Sequence, residues 1–551
     1  MNQLTATIWQ ECWDAHDKIK QLLFFSAAKE SETVKKKHHS SSAKQAEPNE
    51  PHDKRSMTKT QWVGLLLGPL LFALIQLFFS PEGLSPEARA VLATTVWIAV
   101  WWITEAIPIP VTSLLPLILL PITGAVDGKA ASAAYGDPII FLFLGGFMIA
   151  IAMERWDLHR RIAMNIVGVM GTDSKRIVLG FMIATGFLSM WVSNTAAVMM
   201  MVPIGTAITY QAAQIVKQSG NQSIDIKGFE KTVIFGIGFS GTIGGLGTLI
   251  GTPPNIIMAG AIENFYGVNI SFADWMMMAT PVVLIALIFT WLYLVNVAFP
   301  IKFKELPGGM ELIREEKRKL GKMSSEEKLV LFVFLFAGFM WVTRTFLWEN
   351  ENFFVIPGIS DTMIAMVAAI LLFILPSKSK GGALLDWTVA RELPWGVLLL
   401  FGGGLAIAAG FGETGLATWL GEQLVVLEQF PLFLVIVLVT AFVLFLTEIT
   451  SNTATATMIM PVLAALAMAI DIHPFALMMS AAMAANCAFM LPVGTPPNAI
   501  IFATGKIQIS EMMRAGFWVN VIAIILIVGA IYIGLPFIFD VNINAFPADF
   551  R

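Results

Sequence analysis

Charged side chains are scarce in this chain. Asp, Glu, Lys and Arg make up only 13% of its 551 residues, about half of the share found in soluble domains. The net charge of -4 implies no nucleic-acid partner, because nucleic-acid binding depends on a basic surface. Hydrophobic residues account for 56% of the chain and form repeated runs of about 20 residues. This pattern predicts a polytopic α-helical membrane protein.

Cysteines and nucleotide-binding signals are nearly absent as well. Cys12 lies in a polar tail and Cys487 in an apolar run, so no disulfide framework or metal site is expected. The first 30 residues lack the pattern of a cleavable signal peptide. The run Gly402–Gly404 lies inside an apolar span, which is the wrong context for a phosphate-binding loop. We therefore expect neither an enzyme nor a bound cofactor.

Two short polar motifs each occur twice inside apolar runs. The first pair is Ser193-Asn194-Thr195 and Gly251–Asn255 (GTPPN), and the second is Ser451-Asn452-Thr453 and Gly494–Asn498 (GTPPN). Such residues are tolerated at membrane depth only where the backbone lines a cavity or is buried in protein. A single copy would suit helix packing, but breaks at corresponding places in two halves indicate the binding site of a transporter.

Two apolar spans, 177–213 and 430–470, contain an SNT motif near the middle. At about 1.5 Å per residue, each is too long for one membrane crossing and too short for two. We interpret both as re-entrant hairpins with the SNT motif at the tip. The other apolar spans give eleven crossings, at about 61–80, 88–106, 108–126, 138–155, 232–262, 276–300, 328–347, 358–376, 395–412, 474–505 and 515–539.

The predicted fold is therefore an all-α polytopic membrane protein with eleven transmembrane helices and two re-entrant hairpins. Five crossings plus a hairpin per half make an odd count, so the halves form inverted repeats. Residues 1–30 fit a helix on the membrane surface and a poorly ordered tail equally well. The expected divisions are a cytoplasmic extension (1–60), a first half with crossings one to six and a cytoplasmic-side hairpin (61–300), a cytoplasmic loop (301–327), and a second half with crossings seven to eleven and an external-side hairpin (328–551).

Most basic residues fall on one side of this map. The loops expected outside, such as 263–275, 348–357 and 413–429, contain no Lys or Arg. Because basic residues accumulate in cytoplasmic loops, we expect a cytoplasmic N-terminus in the plasma (bacterial inner) membrane. The basic residues on the cytoplasmic side include Arg155, Arg160, Arg161, Lys175, Arg176, Lys217, Lys227, Lys231, Lys302, Lys304, Arg314, Lys317, Arg318, Lys319, Lys322, Lys378, Lys380, Arg391, Lys506 and Arg514.

Each repeated motif can begin a helix inside the membrane. Ser, Asn and Thr are favoured N-cap residues, and the Thr-Pro of GTPPN suits an N-cap followed by the first helical position. Four helix N-termini would then converge and bind an anion through backbone N–H groups. No Lys or Arg lies within 177–215, 232–274 or 429–505 to assist them.

A dianion held without basic side chains needs bound cations to offset its charge, because unpaired charge at membrane depth costs several kcal/mol. Hydroxyl and carbonyl oxygens are suitable ligands for an alkali cation. Ser189 and Thr447 each stand four residues before the serine of their SNT motif, on the first arm of the hairpin. These positions make Na⁺ coupling a specific hypothesis.

For some polar and aromatic residues, the sequence favours a structural role over a functional one. Glu105 and Glu448 lie in or near the membrane, and we favour structural hydrogen bonding over proton relay or cation binding for both. The tryptophans Trp97, Trp101 and Trp102 indicate an interfacial or lipid-facing belt.

The two SNT motifs, the two GTPPN motifs and the stretch TEAIPIPVTSLLP (104–116) together resemble the divalent anion/sodium symporter (DASS) family, over roughly residues 60–540. The resemblance implies eleven transmembrane helices, two opposed hairpins and a homodimer whose transport domains move like elevators against a scaffold. The chain departs from compact bacterial members in its N-terminal extension and in an insert around 218–230.

Carried over position by position, the resemblance implies two Na⁺ sites and one substrate site. The first Na⁺ site would use Ser189, Ser193, Asn194 and Gly251, and the second would use Thr447, Ser451, Asn452 and Gly494. The substrate carboxylates would contact Asn194, Thr195, Thr252, Pro253, Asn452, Thr453, Thr495 and Pro496.

We expect Na⁺-coupled symport of C4 dicarboxylates such as succinate, with no cofactor beyond the coupling ion. Two intact SNT motifs favour carboxylates over sulfate, since sulfate-handling members tend to alter one of them. The alternatives are a Na⁺-independent dicarboxylate exchanger and a sulfate, inorganic-anion or citrate transporter of the same fold. An exchanger would tend to place a basic side chain at the Na⁺ position, which holds none here.

Overall fold

A computed structural model of the chain describes residues 57–171, 173–218, 225–305, 309–349, 355–379 and 381–550. Nearly all of the extension expected at 1–60 lies outside these ranges, as does part of the insert around 218–230.

The first half of the described chain contains twelve helices, and two of its apolar segments are interrupted at the repeated motifs. The helices are α1 (Lys59–Phe78), α2 (Pro86–Thr104), α3 (Ile109–Thr112), α4 (Pro116–Ile122), α5 (Gly128–Ala133), α6 (Pro138–Arg155), α7 (Leu158–Val169), α8 (Ser174–Ser189), α9 (Asn194–Gln218), α10 (Ile226–Gly244), α11 (Pro253–Tyr266) and α12 (Phe272–Tyr293).

The second half begins with a short amphipathic helix, α13, and contains ten further helices. Its helices are α13 (Gly309–Lys319), α14 (Ser325–Thr343), α15 (Asp361–Ile374), α16 (Trp387–Ala390), α17 (Trp395–Glu413), α18 (Leu416–Leu424), α19 (Leu432–Thr447), α20 (Asn452–Ala469), α21 (Pro474–Asn486), α22 (Pro496–Ala503) and α23 (Ile509–Ile538).

The described ranges contain no β-strand, only two isolated β-bridges. Eight of their helical segments are long and apolar enough to cross a membrane, and two shorter apolar segments span Ile109–Ile122 and Asp361–Ile374. These features confirm the all-α polytopic class. The eight are Lys59–Phe78, Gly128–Arg155, Asn194–Lys217, Phe272–Ala298, Ser325–Trp348, Trp395–Glu413, Asn452–Ala469 and Ile509–Ile538.

Short polar side chains start many of the helices. Ser85 and Ser271 cap α2 and α12 by accepting a hydrogen bond from the backbone N–H three residues ahead. At Ser324, the cap is reciprocal, since Glu327 accepts from the backbone N–H of Ser324 while donating its own to the serine. These bonds satisfy N–H groups that have no partner within the helix.

The two halves pack against each other in a reciprocal way. In the first half α8 packs on α10, and in the second half α19 packs on α21. Across the halves, α9 contacts α22 and α20 contacts α11. The second arm of each interrupted segment therefore meets the helix that begins at the GTPPN motif of the other half. This exchange brings all four motifs together.

The segment 108–126 differs from the single crossing expected there. It forms two short helices, α3 and α4, separated by a turn. The prolines of this segment explain the difference: Pro110 and Pro116 stand at helix starts, and a proline inside a helix removes a backbone hydrogen bond.

The lipid-facing belt expected for the tryptophans of α2 is wrong for two of the three. Trp101 and Trp102 are buried, and Trp102 donates a hydrogen bond from Nε1 to Oγ of Ser113 at 3.2 Å. Both are enclosed because α2 packs against α1 on one side and α17 on another.

Helices α8 and α10 touch through a pair of glycines. A Cβ atom placed on Gly244 would lie 2.1 Å from the carbonyl oxygen of Gly186, well inside van der Waals contact. Because this neighbour is backbone, it cannot rotate away as a side chain would. The close approach positions the end of α10, and so the break that follows it.

We expect Gly244→Ala to lower the melting temperature of the purified protein in detergent, because overpacking typically costs about 1–3 kcal/mol. Gly529→Ala in α23 is the matched control, since a Cβ there would meet nothing within 4 Å and alanine is the better helix former. Equal melting temperatures for the two variants would contradict the close contact.

Candidate substrate and cation site

One cavity of about 740 Å³ is lined by all four repeated motifs. Twelve of the fourteen predicted site residues lie on its wall, and the other two, Ser189 and Thr447, are fully buried close by, each bonded to the asparagine of its motif. The twelve wall residues are Ser193, Asn194, Thr195, Gly251, Thr252, Pro253, Ser451, Asn452, Thr453, Gly494, Thr495 and Pro496.

The buried hydroxyls hold the motif asparagines in the same way in both halves. Ser189 Oγ lies 2.6 Å from Oδ1 of Asn194 and 2.5 Å from the carbonyl oxygen of Gly241. Thr447 Oγ1 lies 2.7 Å from Oδ1 of Asn452 and 2.9 Å from the carbonyl oxygen of Ala485. Each hydroxyl thus links a hairpin to the adjacent interrupted helix.

The asparagine that ends each GTPPN motif holds the helix break open. Asn255 Nδ2 donates to the carbonyl oxygens of Gly245 and Thr248 at 3.1 and 2.8 Å. Asn498 Nδ2 donates to the equivalent carbonyl oxygens of Ala488 and Leu491 at 2.9 and 3.0 Å. Both asparagines are fully buried. Their amides replace the helical hydrogen bonds that the break removes.

The four helices that start at the motifs begin on the cavity wall. Asn194, Pro253, Asn452 and Pro496 are their first residues, and all four line the cavity. The first N–H groups of a helix lack partners within it and carry partial positive charge. Here α9 and α20 supply such groups, whereas α11 and α22 each begin with two prolines, which have no N–H. Among the described residues, no Lys, Arg or His belongs to this wall. An anion in the cavity would therefore be bound through backbone and small polar groups.

The Thr residues of both GTPPN motifs are N-caps with proline next, as predicted. Thr495 Oγ1 accepts from the backbone N–H of Asn498 at 3.4 Å. The side-chain cap predicted for Thr252 is wrong, because its hydroxyl donates to Oδ1 of Asn486 at 2.8 Å instead. Likewise Ser451 is an N-cap by position but forms no capping hydrogen bond through its side chain.

Asn486 is a site residue that the sequence reasoning missed. It lines the cavity at the end of α21, accepts from Thr252, and donates to the carbonyl oxygen of Thr242 at 2.7 Å. It therefore ties the interrupted helix of one half to that of the other. A lone asparagine inside the apolar run before the second GTPPN motif was the available signal. The apolar wall residues Trp191, Ile449 and Val493 carry no such signal.

Glu448 forms a hydrogen-bonded clamp on the second break. Its carboxylate accepts the backbone N–H groups of Phe489, Met490 and Leu491 at 2.8–3.1 Å and Nδ2 of Asn520 at 2.8 Å. The residue is 4% exposed. This confirms the structural role predicted for Glu448. Glu105, for which the same role was expected, lines the cavity and forms no side-chain hydrogen bond within the described ranges.

The oxygens around each motif asparagine suit an alkali cation. In the first half, the hydroxyl of Ser189 lies within hydrogen-bonding distance of the amide oxygen of Asn194 and of the carbonyl oxygen of Gly241. Gly251 is close to the same place, since a Cβ on it would lie 2.4 Å from the carbonyl oxygen of Gly245. Uncharged hard oxygens of this kind are the ligands that such ions prefer.

Comparison with known proteins places the chain among sodium-coupled anion transporters. The family described as "Sodium:sulfate symporter transmembrane region" matches residues 59–538. The sodium-dependent dicarboxylate transporter SdcS of Staphylococcus saprophyticus is 54% identical over 494 residues, which cover 89% of this chain and 95% of that protein. SdcS of Staphylococcus aureus is 54% identical over 496 residues, which cover 89% and 94%.

Two solved structures share the fold. MtrF of Neisseria gonorrhoeae, assigned to a class of antimetabolite efflux pumps, has a TM-score of 0.54 at 11% identity, covering 89% of this chain and 96% of its own. The YdaH transporter of Alcanivorax borkumensis has a TM-score of 0.52 at 12% identity, covering 87% and 98%. At these identities the likeness concerns the fold alone.

We expect Glu448→Ala to lower the melting temperature in detergent and to abolish transport. Three buried backbone N–H groups would lose their acceptor, at about 1–3 kcal/mol for each group left without one. Glu448→Gln should fall between this variant and the wild type, because its amide oxygen still accepts. Glu413→Ala, at an exposed glutamate at the end of α17, is the control. A Glu448→Ala protein as stable as this control would refute the clamp.

Proposed function

Because the chain belongs to the divalent anion/sodium symporter family, we propose that it is a secondary active transporter that carries C4 dicarboxylates such as succinate into the cell together with Na⁺. The single observation that carries this proposal is the cavity wall, where two complete sets of SNT and GTPPN residues meet without any basic side chain. The relatives named as sodium-dependent dicarboxylate transporters support the same substrate class.

The substrate is a dianion with a charge at each end, and each half of the protein offers one set of binding groups. One carboxylate contacts Asn194, Thr195, Thr252 and Pro253, and the other contacts Asn452, Thr453, Thr495 and Pro496. Side-chain amides and hydroxyls donate hydrogen bonds to both, together with free backbone N–H groups at the starts of α9 and α20. The prolines that begin α11 and α22 have no N–H to donate. Sulfate concentrates its charge at one centre and would not use two such sets.

Na⁺ supplies the positive charge that the wall lacks. One ion binds among Ser189, Ser193, Asn194 and Gly251, and its equivalent binds among Thr447, Ser451, Asn452 and Gly494. Each motif asparagine belongs to a cation set and to the substrate set, so a bound ion fixes the amide that meets the carboxylate. Binding of the dianion is therefore favourable only after the cations are in place, which is the basis of coupling.

The transporter works as a homodimer in the bacterial inner membrane, with eleven crossings and a cytoplasmic N-terminus. The hairpins 177–213 and 430–470 enter from the cytoplasmic and external sides. A transport domain built around the cavity moves across the membrane relative to a scaffold, like an elevator. Two features support this arrangement: the reciprocal packing of the halves, and the concentration of Lys and Arg in one set of loops. Neither enzymatic activity nor a cofactor belongs to this function.

The decisive measurement is uptake of radiolabelled succinate into proteoliposomes with Na⁺ or K⁺ outside. We expect rapid uptake in Na⁺ and background uptake in K⁺, because the dianion enters the cavity only with cations of the right size. Equal uptake in both salts would favour Na⁺-independent exchange. Excess unlabelled sulfate should leave the uptake unchanged, whereas excess fumarate or malate should suppress it.

Asn194→Ala and Asn452→Ala should each reduce Na⁺-dependent uptake to background, because each removes a ligand shared by cation and substrate. The matched control is Asn542→Ala, which truncates an exposed asparagine near the C-terminus. All three proteins should elute from a sizing column like the wild type. Normal transport by either site variant would refute the assignment of these asparagines.

A further inference from the structure

The cavity wall contains three ionisable residues, and all of them are acidic. Glu105, Glu154 and Glu392 line the cavity together with the repeated motifs, whereas no Lys, Arg or His in the described part of the chain does so. Within the described ranges, none of the three carboxylates forms an ion pair. A dianion travelling between the site and this part of the cavity therefore passes only negative side chains.

The three glutamates belong to the same end of the molecule. Glu105 ends α2, and its carbonyl accepts from Nε2 of Gln61 near the start of α1. Glu154 is the second-last residue of α6, next to Arg155, which pairs with Asp386 at 2.7 Å. Asp386 caps α16, and Glu392 lies just after that short helix and before α17.

A contact between α3 and α17 supports the same grouping. A Cβ on Gly396, in the first turn of α17, would lie 2.5 Å from Cγ of Pro110, which follows Glu105 by five residues. The segments that carry Glu105 and Glu392 therefore run side by side. The distribution of Lys and Arg assigns this end to the cytoplasm.

Two pairs of neighbouring charges show that the acidity of the wall is selective. In Glu154-Arg155 and in Arg391-Glu392, the acidic member lines the cavity and the basic member does not. The cytoplasmic loops as a whole are rich in Lys and Arg, so an unselected set of their residues would bring both basic and acidic side chains to the wall. Here the basic side chains lie elsewhere, as the pairing of Arg155 with Asp386 illustrates.

We propose that Glu105, Glu154 and Glu392 form an acidic vestibule that favours release of the dianion into the cytoplasm and opposes its rebinding from that side. This inference rests on the proposed function and on the orientation given above. Like charges repel the free dicarboxylate, while Na⁺ is concentrated near the same wall. The effect needs no ion bound to the carboxylates, because it arises from the summed field in a confined, water-filled space.

The vestibule makes the two faces of the transporter unequal. Because the three carboxylates all lie at the cytoplasmic end, they repel succinate that approaches from the cytoplasm, and its Km should be higher on that face. Accumulated substrate would then compete poorly for the inward-facing site, and net uptake would continue at high internal concentration. Neutralising the glutamates should raise the affinity for succinate and lower the affinity for Na⁺ on this face. These opposite changes distinguish the effect from a general loss of affinity.

The test compares the wild type with Glu105→Gln/Glu154→Gln/Glu392→Gln in right-side-out and inverted membrane vesicles, with radiolabelled succinate as the probe. On the cytoplasmic face, we expect the Km for succinate to fall at least about threefold and the half-saturating Na⁺ concentration to rise. Both constants should stay unchanged on the external face, which also shows that the variant is folded. Added choline chloride should shrink the difference by screening.

Glu413→Gln, at the opposite end of α17, is the matched control and should leave all four constants unchanged. Unaltered constants on both faces of the triple variant would overturn the vestibule, and so would a shift on the external face alone or a parallel loss of affinity for both ions. Na⁺-dependent uptake by the wild type in the same vesicles distinguishes these outcomes from failure of the proposed function.

Discussion

Backbone N–H and small polar groups must supply most of the protein's own positive potential at this cavity, because no Lys, Arg or His of the described residues lines it. Four helices begin on the cavity wall. The first N–H groups of α9 and α20 have no partner within their helix, whereas α11 and α22 begin with two prolines, which have no N–H. Such donors are weak singly and become useful for an anion only when several converge. The interrupted helices, the paired motifs and the dependence on Na⁺ all follow from this constraint.

Breaking a helix inside a membrane protein exposes polar backbone that water cannot satisfy, and the surrounding side chains compensate for it. Asn255 and Asn498 hold the carbonyls of the two breaks in the same way. The carboxylate of Glu448 accepts hydrogen bonds from backbone N–H groups of the second break. Met190 stands at the matching position of the first hairpin, and there its backbone carbonyl accepts a hydrogen bond from Thr248 of the first break. The two halves thus use the same kind of helix break for binding and differ in the side chains that stabilise it.

Motif spacing and apolar periodicity predicted the polytopic helical class and the residues that share the cavity, because a polar break in an apolar run is visible locally. Side-chain partners were harder to predict. Thr252 looks like an ordinary cap, yet its hydroxyl reaches Asn486, more than two hundred residues away in the chain. Trp101 and Trp102 look like interfacial aromatics, yet neighbouring helices bury them. In both cases the competing partner comes from another part of the chain.

By itself, the sequence determined that this is a membrane transporter of the divalent anion/sodium symporter family. It also determined which short stretches break their helices, since hydropathy, capping preference and proline act over a few residues. Only the tertiary structure decided how those breaks meet, through the packing of α9 on α22 and α20 on α11. It also decided that Glu154 and Glu392 line the cavity while Arg155 and Arg391 do not. Adjacent residues point in different directions from a helix, and the packing of distant segments selects which of them reaches the cavity.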